Sequence, residues 1–165
     1  MDTDERGPLL LADVTSKAIG AFYDVYNELV GFPEFVVRRA MAIALRDAGL
    51  SVREEVELPV WFRGHYIVKF RADLMVQPGL IVEVKVRPEI DSFHKAQLLH
   101  YLKATDLELG LLLNFGRKPE FTRIIYENAR KRPRIEVPEN LKRLVESQTS
   151  SGDPCSADPD KQKKA

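Results

Sequence analysis

The segment IVEVKV at residues 81–86 places a carboxylate and an ammonium group two residues apart in a run that otherwise suits a buried β-strand. Because successive side chains of a strand point to opposite faces of its sheet, Glu83 and Lys85 share one face. Asp73 interrupts the preceding apolar run in the same way. If a turn at residues 78–79 pairs the two strands, Asp73 comes close to Glu83 on that face. The sequence therefore predicts two converging carboxylates.

Two carboxylates held close together raise each other's pKa unless a cation lies between them. Carboxylate oxygens and a backbone carbonyl, here that of Val84, are ligands that Mg²⁺ or Mn²⁺ prefers. Lys85 would point into the same cleft, where it could bind a phosphate oxygen or position an attacking water. The alternative for a Glu-x-Lys pattern is an ordinary ion pair on a solvated sheet face. The strands alone leave both interpretations open.

A second group of polar residues lies in the segment DSFHKAQLLHYLKAT. Gln97 and Tyr101 are four residues apart and His94 precedes Gln97 by three, so a helix would place all three on one face, opposite its leucines. The alternative is a polar helix surface with an exposed histidine. Glu34 is in the predicted first turn of an earlier helix, where the helix dipole favours an acid without any catalytic role.

These residues must be positioned by helices and strands that the periodicity predicts. Apolar residues at helical spacing indicate a first helix from a cap at Asp13 or Thr15 to the stop at Gly31, and a second from Pro33 to Gly49. Three strand-like runs follow, with turns at residues 63–64 and 78–79. They are SVREEVELPVWF, HYIVKFRADLMV and LIVEVKV.

The pattern changes again after the third strand. A helix is predicted from Asp91 or Ser92 through Lys103, then the apolar strand LELGLLLNF and the edge strand FTRIIY. Hairpins join antiparallel strands, whereas a strand-helix-strand crossover favours a parallel pair. The fold class predicted is therefore α/β, a sandwich with a central mixed β-sheet.

Composition limits the classes of protein that fit. The 165 residues suit one domain, and 25 basic against 25 acidic side chains give no net charge, so any nucleic-acid site must be local. The lone Cys155 excludes an intrachain disulfide and a cysteine-ligated zinc or iron–sulfur site within one chain. The apolar run near the N-terminus of the chain, LLLA, is too short for a signal peptide or a membrane span. We expect a cytoplasmic protein with no membrane partner.

The ordered set Glu34, Asp73, Glu83-x-Lys85 and Gln97-x-x-x-Tyr101 resembles the PD-(D/E)XK nuclease superfamily, particularly the RecB-type and Cas4-type branch with its Q-x-x-x-Y helix. More closely, the segments GFPEFVVRRAMAIAL, FRADLMV, LIVEVKV, HKAQLLHYLKAT and LGLLLNFG resemble its GxxExxY family. The resemblance departs from the family pattern at two positions, where Val37 replaces the tyrosine of the name motif and Ala72 replaces the proline before the aspartate.

The resemblance implies a restriction-endonuclease-like sandwich, with the mixed sheet flanked by helices, over residues 13–126. Residues 1–12 are then an N-terminal extension. Residues 127–146 form a C-terminal extension with a short helix, and residues 147–165 have the composition of a disordered tail.

The resemblance also implies roles for individual residues. The implied metal ligands are Asp73, Glu83, the Val84 carbonyl and Glu34, and the implied catalytic set is Glu34, Asp73, Glu83, Lys85 and Gln97. Tyr101 and His94 match positions on the substrate side of the helix. The basic residues near the predicted cleft could contact the substrate backbone; they are Arg38, Arg71, Arg87 and Lys95. The segment ARKRPR could add nonspecific affinity.

The function that follows is a nuclease dependent on Mg²⁺ or Mn²⁺ that hydrolyses phosphodiester bonds with a metal-activated water. DNA is favoured over RNA as its substrate, and the sequence leaves both open. A homodimer or a partner enzyme could complete the groove. The alternatives are a nuclease-like module that binds nucleic acid or protein without cleaving, and, ranked last, a glycosidase-type acid pair of Glu34 and Glu83.

Overall fold

The computed structural model describes the backbone of residues 6–131 and the side chains of residues 11–131. The described elements, in chain order, are α1 (Arg6–Leu29), α2 (Glu34–Asp47), β1 (Val52–Phe62), β2 (His65–Val76), β3 (Leu80–Lys85), α3 (Ser92–Ala104), β4 (Leu109–Phe115), β5 (Pro119–Ile125) and a 3₁₀ turn (Asn128–Arg130). Most of the predicted C-terminal extension, the whole predicted tail with Cys155, and part of ARKRPR lie outside the described residues. No helix of the described part is long and apolar enough to span a membrane.

The five described strands form one sheet in the order β1-β2-β3-β4-β5. Strand β3 is antiparallel to β2 and parallel to β4, and β5 returns antiparallel to β4 at the edge of the sheet. Helix α3 makes the crossover that a parallel pair requires. The predicted mixed sheet and the predicted edge strand are therefore confirmed.

Apolar side chains cover both faces of this sheet. Helices α1 and α2 pack on one face, where Phe22, Met41 and Leu45 meet the even-numbered residues of β3. Helix α3 packs on the other face, where Leu98 and Leu102 meet Ile81. The result is the predicted three-layer α/β sandwich with the restriction-endonuclease-like order of elements.

Helix α1 begins earlier than the sequence predicted. It begins at Arg6, about two turns before the expected cap at Asp13 or Thr15, so that prediction is wrong. The reason is that Pro8 lies in the first turn, where a missing N–H costs nothing because those amides have no partner within the helix. The side chain of Thr15 donates to the carbonyl of Leu11 within the helix, at 2.7 Å, and does not cap it.

Strand β1 changes its inward face at Glu55. Val52 packs with the α1 and α2 layer, whereas Val56, four residues later, packs with the α3 layer. A regular strand would keep these two positions on one face. Glu55 has a φ of 51°, in the left-handed region, which is the backbone signature of a β-bulge that adds one residue and reverses the alternation.

The tip of the β1-β2 hairpin, Trp61–Ile67, belongs to a different compact unit from the other described residues. Its turn has positive φ at both Arg63 and Gly64, 50° and 78°, as a two-residue type I′ turn requires. Within the tip, the rings of Trp61 and Tyr66 meet edge to face at 5.7 Å. The predicted turn is thereby confirmed.

Helix α3 approaches β4 so closely that only glycine fits at residue 110. A Cβ built on Gly110 would lie 2.8 Å from Cδ1 of the fully buried Leu98. We expect Gly110→Ala to lower the free energy of unfolding by about 1–3 kcal/mol, because the core cannot expand without shifting α3. Urea unfolding measures this cost.

Two variants control the Gly110 experiment. Gly20→Ala in α1 has open space around the added methyl group and should be neutral or stabilising by up to about 1 kcal/mol. In a Leu98→Ala background, which removes the clashing atoms, Gly110→Ala should cost much less than in the wild type. An equal cost in both backgrounds would show that the clash with Leu98 is not the cause.

Candidate active site

Strand β2 also changes its inward face, and Asp73 lies at the change. Ala72 packs with the α3 layer, and Leu74, two residues later, packs with the α1 and α2 layer. The residues of β2 that pair with β3 run from Val76 back to Leu74, so the pairing ends one residue before Asp73. Asp73 is thus placed where the two strands diverge.

Where β2 and β3 separate, the carboxylates of Asp73 and Glu83 accept hydrogen bonds from backbone N–H groups. Oδ2 of Asp73 accepts a hydrogen bond from the Val84 N–H at 2.9 Å, and Oε2 of Glu83 accepts one from the Asp73 N–H at 3.4 Å. Each acid is therefore tied to the strand that carries the other. The structure brings the two predicted carboxylates together, held by main-chain groups of rigid strands.

Two cations from different elements each contact one acid of the pair. Nζ of Lys85 is 2.9 Å from Oε1 of Glu83, with both side chains nearly buried. Nη1 of Arg38, from α2, is 3.5 Å from Oδ1 of Asp73, and its Nη2 is 3.2 Å from Glu55. The bulge in β1 places Glu55 where it can hold this arginine. Arg38, predicted to bind substrate, is thus engaged with the acids themselves.

These contacts do not offset the cost of burying two acids. Glu83 is only 2% exposed, and this burial, followed by the charge of Asp73, raises its pKa to about 7 despite the opposing effect of Lys85. Burial is also the main cause that raises the pKa of Asp73, against the Val84 amide, Lys85 and Arg38. A pair that remains this hard to ionise is one that a further cation would stabilise.

The donor set fits a hard divalent ion. Mg²⁺ commonly binds through one or two carboxylates and keeps several waters, so Asp73 and Glu83 supply what such an ion needs from side chains. Among the described residues, no group of three or more Asp, Glu, His or Cys side chains is placed to hold a metal ion together, so such an ion would rely on these two carboxylates, a backbone carbonyl and water. Glu34 is near enough for its charge to raise the pKa of Asp73, but only as the smallest of the causes.

Helix α3 brings Gln97 and Tyr101 to the same face of the sheet as Glu83. Nε2 of Gln97 donates to the Tyr101 hydroxyl at 2.7 Å, so the two residues act as a pair. Burial, and then the charge of Glu83, raises the pKa of Tyr101 to about 12, which keeps the phenol protonated. The sequence predicted that Tyr101 lies on the helix face opposite the leucines. That prediction is wrong, since Tyr101 is 4% exposed and packs in the core cluster with Leu98 and Leu102. The buried stripe of α3 is wide enough to include both.

His94 lies at the start of α3, where the structure gives it a local partner. Its backbone N–H donates to Oδ1 of Asp91 at 2.9 Å, and its Nδ1 accepts from the Asp91 N–H at 3.3 Å. This reciprocal arrangement is a capping box, with histidine in the position more often held by Glu or Gln. His94 thus turns toward the helix end and Asp91, and a role in substrate binding stays a prediction.

Asn114 is a site-supporting residue that the sequence reasoning missed. It is fully buried, and its amide both accepts from the Arg87 N–H at 2.9 Å and donates to the Arg87 carbonyl at 3.0 Å. The strand pairing of β3 with β4 ends at Lys85 opposite Asn114. The amide of Asn114 therefore continues that pairing past Lys85 and fixes the exposed Arg87. One polar residue in the apolar run LGLLLNF was the available signal, because a buried amide needs partners.

Before any comparison, the arrangement defines a class of site in an α/β fold: two acids on adjacent strands, a lysine two residues after one of them, and a glutamine on the neighbouring helix. The family model of the PD-(D/E)XK nuclease superfamily matches residues 12–124. The chain belongs to this superfamily, whose members are nucleases that generally use divalent metal ions. Membership supports phosphodiester hydrolysis in a nucleic acid as the general activity.

Other comparisons add little to this assignment. No curated protein matches the chain. One solved structure, titled "Crystal structure of SSO0001", is similar over 70% of this chain at 20% identity, with a TM-score of 0.46. The similar region covers 56% of that structure's chain.

Proposed function

We propose that this protein is a Mg²⁺- or Mn²⁺-dependent nuclease that hydrolyses phosphodiester bonds in DNA. The observation that carries the proposal is the buried Asp73 and Glu83 pair, which keeps raised pKa values although Lys85 and Arg38 contact it. Burying such a pair costs folding free energy, and a bound divalent ion would offset that cost. We further propose that the chain belongs to the GxxExxY family within the RecB-type and Cas4-type branch, and that it acts in the cytoplasm.

The proposed ligands are the carboxylates of Asp73 and Glu83 and the carbonyl of Val84, with Glu34 acting through solvent. A divalent ion held there would lower the pKa of a bound water and neutralise charge on the phosphate. Lys85 lies beside Glu83 and can stabilise the negative charge that develops on phosphate oxygens. Gln97, fixed by Tyr101, can orient the group that flanks the scissile bond.

Further parts of the proposal concern the substrate backbone and the partners of the chain. Arg87, held through its backbone by Asn114, has an exposed side chain that can contact a phosphate. Arg38 can do so only by leaving Asp73 or Glu55. A second copy of the chain or a partner enzyme would extend the groove beyond one sandwich.

A nuclease-like module that binds without cleaving is the second candidate. The observation in its favour is that Lys85 and Arg38 already neutralise part of the acidic charge, which a silent site could retain as a structural network. The raised pKa values argue against it, because a purely structural network would be expected to favour the ionised acids. The two candidates differ in one measurable property, which is cleavage.

The test is cleavage of single-stranded and double-stranded DNA, linear and circular, in Mn²⁺, in Mg²⁺ and in chelator. We expect wild-type protein to cut only when a divalent ion is present. Asp73→Ala, purified identically, should not cut, because one of the two proposed ligands is gone; it also controls for contaminating nucleases. Equal activity of the two proteins, or activity in chelator, would contradict the proposal. A wild type that binds DNA without cutting would favour the binding module.

A further inference from the structure

A cavity of about 290 Å³ lies beside the candidate site, between α3 and strand β2. Four of its six lining residues carry rings, and the other two are alanine and glutamine. The lining residues are Phe70, Phe93, Ala96, Gln97, His100 and Tyr101. None of the six is acidic, so a polyanionic strand meets no charge repulsion from the lining.

The cavity and the candidate site share residues. Gln97 and Tyr101 line the cavity, and the Tyr101 phenol is close enough to Glu83 and Asp73 to respond to both charges. Arg71, which neighbours Phe70 on β2, also acts on that phenol and has a side chain that is 65% exposed. A ligand in the cavity would therefore contact Gln97 and Tyr101, the two residues that the cavity shares with the candidate site.

Three of the rings pack on one another, with Phe70 in the centre. The planes of Phe70 and His100 are inclined by only 15°, with centroids 6.4 Å apart, and Tyr101 lies against Phe70 at 5.7 Å. Phe93, at the start of α3, is 74% exposed although it is a large apolar residue. Proteins that bind unpaired bases stack them on aromatic side chains beside a site for the phosphate backbone. The rings that line this cavity, beside the proposed phosphate site, provide such a stacking surface.

We propose that this aromatic cavity holds one unstacked base of single-stranded DNA, next to the phosphate that the candidate site would cleave. The inference rests on the proposed function and makes it narrower: the substrate is a single strand or a frayed end. The volume supports a single base, since about 290 Å³ is at the lower end of the range for small-molecule pockets. Bases inside a duplex are already stacked on their neighbours, so they could not enter without unpairing.

The experiment uses a short single-stranded oligonucleotide that carries one 2-aminopurine, whose fluorescence falls when the base stacks on an aromatic ring. Binding is measured in chelator and again in Ca²⁺, so the signal does not depend on cleavage. Wild-type protein should quench the single strand and leave the same label in a duplex nearly unchanged. Phe93→Ala and His100→Ala should each bind the single strand about ten-fold more weakly, with less quenching. Both side chains are exposed, so neither variant should unfold the chain.

Phe121→Ala is the matched control, because Phe121 is an exposed ring on the opposite face of the sheet, across from Leu113. It should behave as wild type. Quenching that is absent in wild type, equal for duplex and single strand, or unaffected in both Phe93→Ala and His100→Ala would overturn the subsite. The cleavage assay reports separately on the proposed function: cutting without stacking leaves the nuclease intact, and stacking without cutting leaves the subsite intact.

Discussion

Replacing Lys85 with alanine is expected to slow metal-dependent cleavage by about 10²–10³-fold while metal binding is retained. Nζ of Lys85 contacts Glu83 and lies beside the acids, but an ammonium group is not a metal ligand. Its loss therefore removes charge stabilisation at the phosphate and leaves the carboxylate donors in place. Single-turnover cleavage rates measure the first effect, and calorimetry with Mn²⁺ measures the second.

Two further variants are needed to interpret the Lys85 result, Asp73→Ala and Lys17→Ala. Asp73→Ala should lose both Mn²⁺ binding and cleavage, because it removes a proposed ligand. Lys17→Ala removes an exposed lysine of α1, on the other face of the sheet, and should change neither. If Lys85→Ala cuts at the wild-type rate, the lysine is a structural partner of Glu83 and the proposed mechanism is wrong. If Asp73→Ala binds Mn²⁺ like the wild type, the proposed ligand set is wrong.

The second large effect concerns Glu83 in the metal-free protein. Its pKa is raised from 4.5 to about 7 in the folded state, so the folded chain binds more protons than the unfolded chain between these values. Stability is then highest below about pH 4.5 for this group and falls as the pH rises toward 7. The cost approaches a limit of about 3 kcal/mol above that range.

Glu83→Gln imitates the protonated acid and should remove this dependence. In chelator, we expect the variant to be more stable than wild type at pH 8, and the difference to vanish toward pH 4.5. Chemical denaturation at a series of pH values measures the difference, in which the titration of the other acids largely cancels. Glu28→Gln, which removes an exposed acid of α1, should show no such trend. A Glu83→Gln variant that is less stable at pH 8 would show that the Lys85 ion pair outweighs burial.

Much of this site could be predicted from the alternation of side chains along strands. The pattern IVEVKV predicted that Glu83 and Lys85 share one face of the sheet. In the structure their side chains contact each other. Asp73 was expected nearby because a short turn between strands fixes their register. The inference about Glu83 and Lys85 succeeds because β3 keeps the two-residue period of a regular strand.

What the sequence did not predict depends on backbone geometry without a residue signature. Glu55 adopts a positive φ, although glutamate has no preference for it, and the resulting bulge supplies the partner of Arg38. The second change of face, at Asp73, lets its carboxylate reach the Val84 amide. The aromatic cavity also depends on tertiary packing, because Phe70 and the α3 rings lie on separate elements.

The position of the two acids between the layers ties their chemistry to the completion of folding. Glu34 and Arg38 come from the α1 and α2 side, Gln97 and Tyr101 come from α3, and the acids lie on strands between them. A chain in which only one layer has docked lacks half of these groups. The proposed nuclease would therefore be inactive until both helical layers have docked, since a half-folded chain could neither complete the site nor hold a strand beside it.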